Sequence, residues 1–179
     1  MALAMTCEGA TPATARPTAQ ATSAGPTIYL PLIATAPPTF AEQVITLTNQ
    51  QRIGNGCQPF NVSPQLSAAA QAHSQDMALN DFVSHTGSDG LSMGQRLTRA
   101  GYDWRLAAEN IAAGQSTPEE VVASWMSSDS HRANILNCAL RDVGVGYYYQ
   151  PDDQANVWLS NGKTGGPFQS YWTQDFGSQ

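Results

Sequence analysis

Residues 117–147 read TPEEVVASWMSSDSHRANILNCALRDVGVGY, and within them the apolar period changes from that of a helix to that of a strand. Thr117-Pro118-Glu119-Glu120 is a strong helix opening, with a capping hydroxyl, a first-turn proline and two acids at the positive end of the helix dipole. Val121, Val122, Trp125 and Met126 supply the apolar face of that helix. A turn at Ser127–Ser130 then leads into a second helical segment over His131–Asn137. From Val143 the pattern Val143-Gly144-Val145-Gly146-Tyr147 alternates as a strand does, and Asn156–Leu159 and Tyr171–Phe176 are two further strand candidates.

Upstream the pattern is mostly helical. Phe40, Val44, Leu47 and Thr48 recur at helix spacing until Gly54-Asn55-Gly56 offers the backbone freedom of a helix end. Ser63 caps and Pro64 opens a second helix that places Leu66, Ala70, His73 and Met77 on one face and ends near Asn80-Asp81. A polar, glycine-rich passage containing Ser84-His85-Thr86-Gly87 follows, then a short helix over Met93–Arg99 that Gly101 terminates, then a short buried strand at Ala107–Ala112. Helices first and mostly strands last predict an α+β or layered α-β-α domain.

A chain of 179 residues has room for one ordinary domain and a tail. Residues 6–39 are rich in Thr, Ala, Pro, Ser and Gly and almost free of charge, which bury too little apolar surface to offset chain entropy. The reading is therefore a leader or linker over residues 1–38 and a folded domain over residues 39–179. Only 12% of residues are charged, about half of the ~25% usual in globular proteins, so Ser, Thr, Gln and Asn must dress the surface. The net charge of −6 and a single lysine, Lys163, provide no basic stripe for phosphates, which excludes nucleic acid as the expected partner. No stretch reaches the ~20 apolar residues that span a bilayer, since the Ile28–Ala36 run is short and broken by Pro31. The N-terminus lacks the positive start and long apolar run of a signal peptide, so an export signal is expected to have been removed.

Cysteine usage points to an oxidising compartment. Cys57 and Cys138 lie inside the folded part, and their pairing is the favoured reading, with two buried free thiols as the other. Closing so long a loop stabilises by ~4–5 kcal/mol in the chain-entropy account. Cys7 is left over in the tail.

Three histidines, at 73, 85 and 131, are all that an imidazole-based site can draw on. His73 sits on an apolar helix face between Ala70 and Met77 and reads as a core histidine with one satisfied hydrogen bond. His85 lies in a loop with no apolar stripe to explain it, and His131 opens a helix, where a plain role near the cap competes with ligand or general-base duty. Glu109 stands inside the otherwise apolar Leu106-Ala107-Ala108-Glu109-Asn110-Ile111-Ala112, where a carboxylate is costly unless a cation, a metal or several donors satisfy it. Its competing role is structural, accepting from nearby backbone amides. The nucleophile elbow, the zinc-protease helix, the phosphate-binding loop and the Cys-x-x-Cys pair are all missing, which removes the commonest enzyme classes. Two histidines and a glutamate would suit zinc with one position open for water, although their spacing is not a local ligand signature.

Ser84-His85, Ala108-Glu109-Asn110-Ile111-Ala112, Trp125 with Ser130-His131-Arg132-Ala133-Asn134-Ile135-Leu136, Val143-Gly144-Val145-Gly146, and Tyr171-Trp172-Thr173-Gln174-Asp175-Phe176-Gly177 occur here in one order. In that order they resemble the bacterial branch of the CAP superfamily, the SCP-domain proteins related to plant pathogenesis-related proteins, antigen 5 and cysteine-rich secretory proteins. The match runs from about Phe40 to Gly177. The resemblance implies a three-layer α-β-α sandwich, a secreted or cell-surface location, and a cleft lined by two histidines and two acids. Residue by residue, His85 matches the first histidine, Glu109 the glutamate of the Glu-Asn motif, and His131 the second histidine. The second acid is missing: Ser128 stands where the family has glutamate, and neighbouring Asp129 is the candidate substitute.

Family members have been linked to divalent metals, to sterols and lipids, and to a disputed proteolysis, and a shared fold transfers none of these by itself. The leading expectation is an extracellular binding module whose His85/Glu109/His131 cleft takes a divalent metal (zinc first), a lipid, a glycan or a protein partner. The alternative is a metal-assisted hydrolase in which His85 and His131 hold the ion and Glu109 acts as general base on its water. A serine-type site is weaker, since neighbours Ser130 and His131 turn apart on a helix, leaving only Ser128.

Overall fold

The computed structural model describes residues 36–179, and its first element, α1 (Phe40–Gly54), starts where Thr39 and Glu42 cap each other's backbone amides. The linker reading for residues 1–35, and Cys7 with it, falls outside the described residues. The remaining elements are β1 (Asn61–Val62), α2 (Pro64–Leu79), β2 (Phe82–Val83), α3 (Met93–Arg99), β3 (Leu106–Ala113), α4 (Pro118–Ser127), α5 (Asp129–Ile135), β4 (Asp142–Tyr149), β5 (Val157–Leu159), β6 (Thr164–Gly165) and β7 (Ser170–Ser178). The central sheet runs β1-β4-β7-β3, with β7 antiparallel to both neighbours and β1 parallel to β4. A small second sheet runs β2-β5-β6, with β2 parallel to β5 and β6 antiparallel to it.

Strand alternation makes the central sheet two-faced. Val143 and Val145 of β4 and Trp172 and Phe176 of β7 join Val44 and Ile45 of α1, Val121, Val122 and Trp125 of α4, and Ile135 of α5 in the main core. The other face of β4 carries Gly144 and Gly146, and α2 lies directly on them. A Cβ at Gly144 would stand 2.1 Å from the Leu66 carbonyl carbon, and one at Gly146 would stand 2.3 Å from that of Ala70. The valine-glycine alternation read in the sequence is thus one side packed with hydrocarbon and the other cleared for a helix backbone. With α3 against α2, the layers are helix, sheet, helix, as expected for the α-β-α sandwich.

Cys57 and Cys138 form a disulfide, resolving the alternative left open by the sequence. It ties the loop after α1 to the turn after α5. Arg52 lies in the same region with no exposure, its guanidinium 3.6 Å from the centre of the Phe60 ring and donating to the carbonyls of Gln58, Ile135, Asn137 and Leu140 at 2.7–3.0 Å.

The differences from the sequence reading are local. α5 begins at Asp129 rather than His131, because the single extended residue Ser128 both ends α4 and opens α5 and no longer turn is needed. The two-residue strands β1, β2 and β6 are too short to show a period, and each exists by pairing with a longer neighbour.

Candidate functional site

Glu109 lies near the middle of β3, and alternation sends it toward the α2 side of the sheet while Asn110 faces the α1 side. Its side chain is 2% exposed. Oε1 accepts from His85 Nδ1 at 2.7 Å and Oε2 accepts from Arg96 Nη2 at 2.5 Å. Burial works to raise the Glu109 pKa, but the His85 hydrogen bond and the Arg96 charge outweigh it and hold the carboxyl below its usual range, so it is ionised. An ionised acceptor fixes the proton of His85 on Nδ1, and the ring, 55% exposed, turns Nε2 away from Glu109.

The loop that carries His85 is pinned from three directions. His73 Nε2, on α2, donates to the Ser84 carbonyl at 2.8 Å, which makes His73 the buried core histidine that the apolar face implied. Asp76, one turn on, accepts from the Ser88 amide and hydroxyl. Arg96 Nη1, on α3, donates to the carbonyls of His85 and Leu91 at 2.8 and 3.1 Å. One arginine therefore holds both the backbone of His85 and the carboxylate that orients its ring.

His131 comes from α5, on a different layer. Asn110 Nδ2 donates to the His131 carbonyl at 3.2 Å, and Asn134 Nδ2 donates to Asn110 Oδ1 at 2.9 Å and to the Glu109 carbonyl at 3.3 Å. These amides lock α5 to β3 beside Glu109. The His131 ring is half-buried and makes no hydrogen bond among the described residues. Burial lowers its pKa, and the His85 charge lowers it further.

The weaker candidates are bonded within their own segment. Ser128 Oγ is 3.3 Å from Ser130 Oγ, and the Asp129 carboxylate, 95% exposed, pairs with Arg132 in its own helix. Neither shares a hydrogen bond with His85, Glu109 or His131 among the described residues. Nor, among the described residues, do three His, Cys, Asp or Glu side chains gather there into a ready metal cage. The donors that suit zinc are His85 Nε2 and the His131 ring, with Glu109 behind His85 in the orienting role common beside metal-bound histidines, and water would fill the remaining positions. A cavity of about 250 Å³ opens between α2 and α3 against Ala68, Ala69, Ala72 and Ala100; Arg96, His73 and Asp76 also line it, but His85, Glu109 and His131 do not.

Two residues of the site escape the sequence reading. Arg96 carries no signal, being one cation on a short helix. Asp175 does carry one, since it is an acid inside a buried strand and so meets the same criterion that singles out Glu109. It is fully buried on β7, and the register places it directly opposite Glu109.

A family model described as the cysteine-rich secretory protein family, CAP, matches residues 45–176. The Bacillus subtilis (strain 168) protein YkwD, itself described as uncharacterized, is 36% identical over 147 residues, which cover 82% of this chain and 52% of that protein. The chain thus spans about half the length of this curated relative. Among solved structures, an extracellular protein containing a SCP domain from Bacillus anthracis str. Ames superposes with a TM-score of 0.64 at 27% identity, covering 81% of this chain and 45% of that one. An outer surface protein from Borrelia burgdorferi shares the fold with a TM-score of 0.60 at 17% identity, covering 76% of this chain and 90% of that one.

Proposed function

This chain belongs to the cysteine-rich secretory protein (CAP) family, and from that premise we propose that it is an extracellular binding module whose cleft presents the His85 and His131 imidazoles to a ligand. The observation that carries this reading is the His85–Glu109 pair: a buried, ionised glutamate fixes the tautomer and the angle of an exposed imidazole, leaving Nε2 as a preset ligand atom. Extracellular placement is supported by the Cys57–Cys138 disulfide and by the similar Bacillus anthracis protein described as extracellular. In this reading residues 1–38 tether the domain of residues 39–179.

Binding is favoured over hydrolysis by how Glu109 is occupied. Both of its oxygens already accept from cationic or ring N–H donors, and its depressed pKa makes it a poor acceptor of a proton from water. The metal-assisted hydrolase is the second reading, favoured by the same hydrogen bond, since a metal-bound histidine is commonly held this way. There His85 and His131 would hold zinc, which would lower the pKa of a bound water, and Glu109 would orient His85.

The test is calorimetric titration of the full chain with zinc at neutral pH, with calcium and magnesium alongside. Saturable zinc binding that disappears in a His85→Ala, His131→Ala double variant is the expected result. Zinc binding unchanged in that variant, or none in the parent, would overturn the cleft assignment. Zinc-dependent peptide hydrolysis abolished by Glu109→Gln would replace the binding module with the hydrolase.

A further inference from the structure

We propose that Asp175 is the second acid of this cleft, a neutral carboxylic acid that donates its proton to Glu109 from within the sheet and holds the Glu109 carboxylate toward His85. The inference rests on the reading of His85 and Glu109 as the working pair. It places the missing acid on β7 instead of on the helix around Ser128 and Asp129.

The register supplies the geometry. Glu109 and Asp175 are Cα partners across the antiparallel β3–β7 pair, so their side chains leave the same face. Directly opposed residues hold their Cβ atoms about 4.5–5.5 Å apart, within which an aspartate and a glutamate meet carboxyl to carboxyl. On its other side Asp175 is paired with Gly144, where α2 occupies the space of a side chain. Glu109 is therefore the neighbour across the sheet that can meet it.

The surroundings then decide the charges. Asp175 has no exposure, and neither of its oxygens has a hydrogen-bond donor among the described residues. An ionised carboxylate in that position would lack both water and a partner. The groups on the elements packed near it are largely committed elsewhere. Arg96 on α3 gives Nη2 to Glu109 and Nη1 to two carbonyls; its buried Nε has no partner among the described residues, and its charge works to lower the Asp175 pKa, but burial and the Glu109 charge outweigh it. His73 on α2 gives its Nε2 proton to Ser84, which leaves Nδ1 as a bare lone pair, and the Ser74 hydroxyl donates to Thr173. Two adjoining carboxyls in a buried site do not both ionise. Glu109 owns the donors, so Glu109 takes the charge and Asp175 keeps the proton. Burial pushes the Asp175 pKa well up, and the Glu109 charge pushes it further. A proton on Asp175 also satisfies one of its otherwise unpartnered oxygens.

Asp175 is a positioning residue, so its test needs a readout that packing alone would not move. Infrared spectra of the full chain, metal-free and at neutral pH, should contain the carbonyl stretch of a protonated carboxylic acid, and Asp175→Asn should remove it. The carboxyl-carbon resonance of Glu109, followed by NMR at neutral pH, should change little in Asp175→Asn, because a neutral donor replaces a neutral donor. Asp175→Leu, which removes the donor, should move that resonance where Asn does not. A missing acid band in the parent chain would overturn the proposal, as would an acid band that persists in Asp175→Asn. The parent spectrum needs no variant to fold. Zinc is absent from these measurements, so failure here and failure of the zinc titration are separate results.

Discussion

Two buried charges sit on opposite sides of the central sheet, and they are satisfied in opposite ways. Arg52, on the α1 side, spends its donors on four backbone carbonyls contributed by the loop after α1 and the segment that ends α5. Glu109, on the α2 side, is satisfied by side chains, His85 and Arg96, and faces a second acid. Backbone partners cannot rotate away, so Arg52 is a fixed strut, reinforced by the Cys57–Cys138 disulfide nearby. Side-chain partners can change protonation or take a ligand. A buried charge tied to backbone marks architecture, whereas one tied to ionisable side chains, with orphaned polar atoms around it, marks a site.

The contrast breaks first at Arg52. Arg52→Leu leaves four carbonyls without their shared donor, and an apolar side chain offers them nothing in exchange. A loss of about 3–5 kcal/mol in denaturant unfolding is expected, a large share of a typical domain's stability. If the variant unfolds within about 1 kcal/mol of the parent, water has replaced the guanidinium and the strut reading fails.

On the other side of the sheet the expected effect depends on pH, and its sign separates the two acids. Glu109 has a depressed pKa in the folded state, so its stabilisation is present above the unfolded value and is lost as pH falls through the folded one. Asp175 has a raised pKa, so its contribution is present at acid pH and is lost as pH rises through the folded value. Asp175→Asn removes only the second dependence. Thermal unfolding of the variant should therefore gain on the parent as pH rises from about 4 toward 8, with the difference smallest at the acid end. A gain that grows toward acid instead would mean that Asp175 is charged in the native state.

Much of this fold is legible in the sequence because its long elements carry clear periods. The helices over residues 40–54 and 64–79 and the alternation at Val143–Tyr147 could be read directly, and Ser63-Pro64 and Thr117-Pro118 mark helix starts that the structure caps as expected. Glu109 is legible for the same reason, as a charge where the period demands an apolar residue. Asp175 offers the same signal, but its strand also carries Thr173 and Gln174, and against polar neighbours a third polar residue does not stand out. Arg96 is invisible for a different reason: its role depends on α3 packing beside β3, a contact set by tertiary structure. The pairing of His85 with Glu109, 24 residues apart, likewise follows from where β2 and β3 end up rather than from any spacing.

The smallest expected effect is at His85 itself. Its ring is half-exposed and gives Glu109 one of its two side-chain partners, with Arg96 still in place and Asp175 beneath. His85→Ala should therefore change unfolding stability by less than about 1 kcal/mol, a fraction of what Arg52→Leu removes. If the proposed cleft holds zinc, the same variant should lose most of that affinity in the calorimetric titration, because Nε2 belongs to one of the two imidazoles proposed as ligands. A small cost in stability with a large cost in binding is the signature of a residue held by the fold for use on a ligand. If His85→Ala instead destabilises the chain as much as Arg52→Leu, the Glu109 cluster is a second strut, and the distinction between the two sides of the sheet collapses.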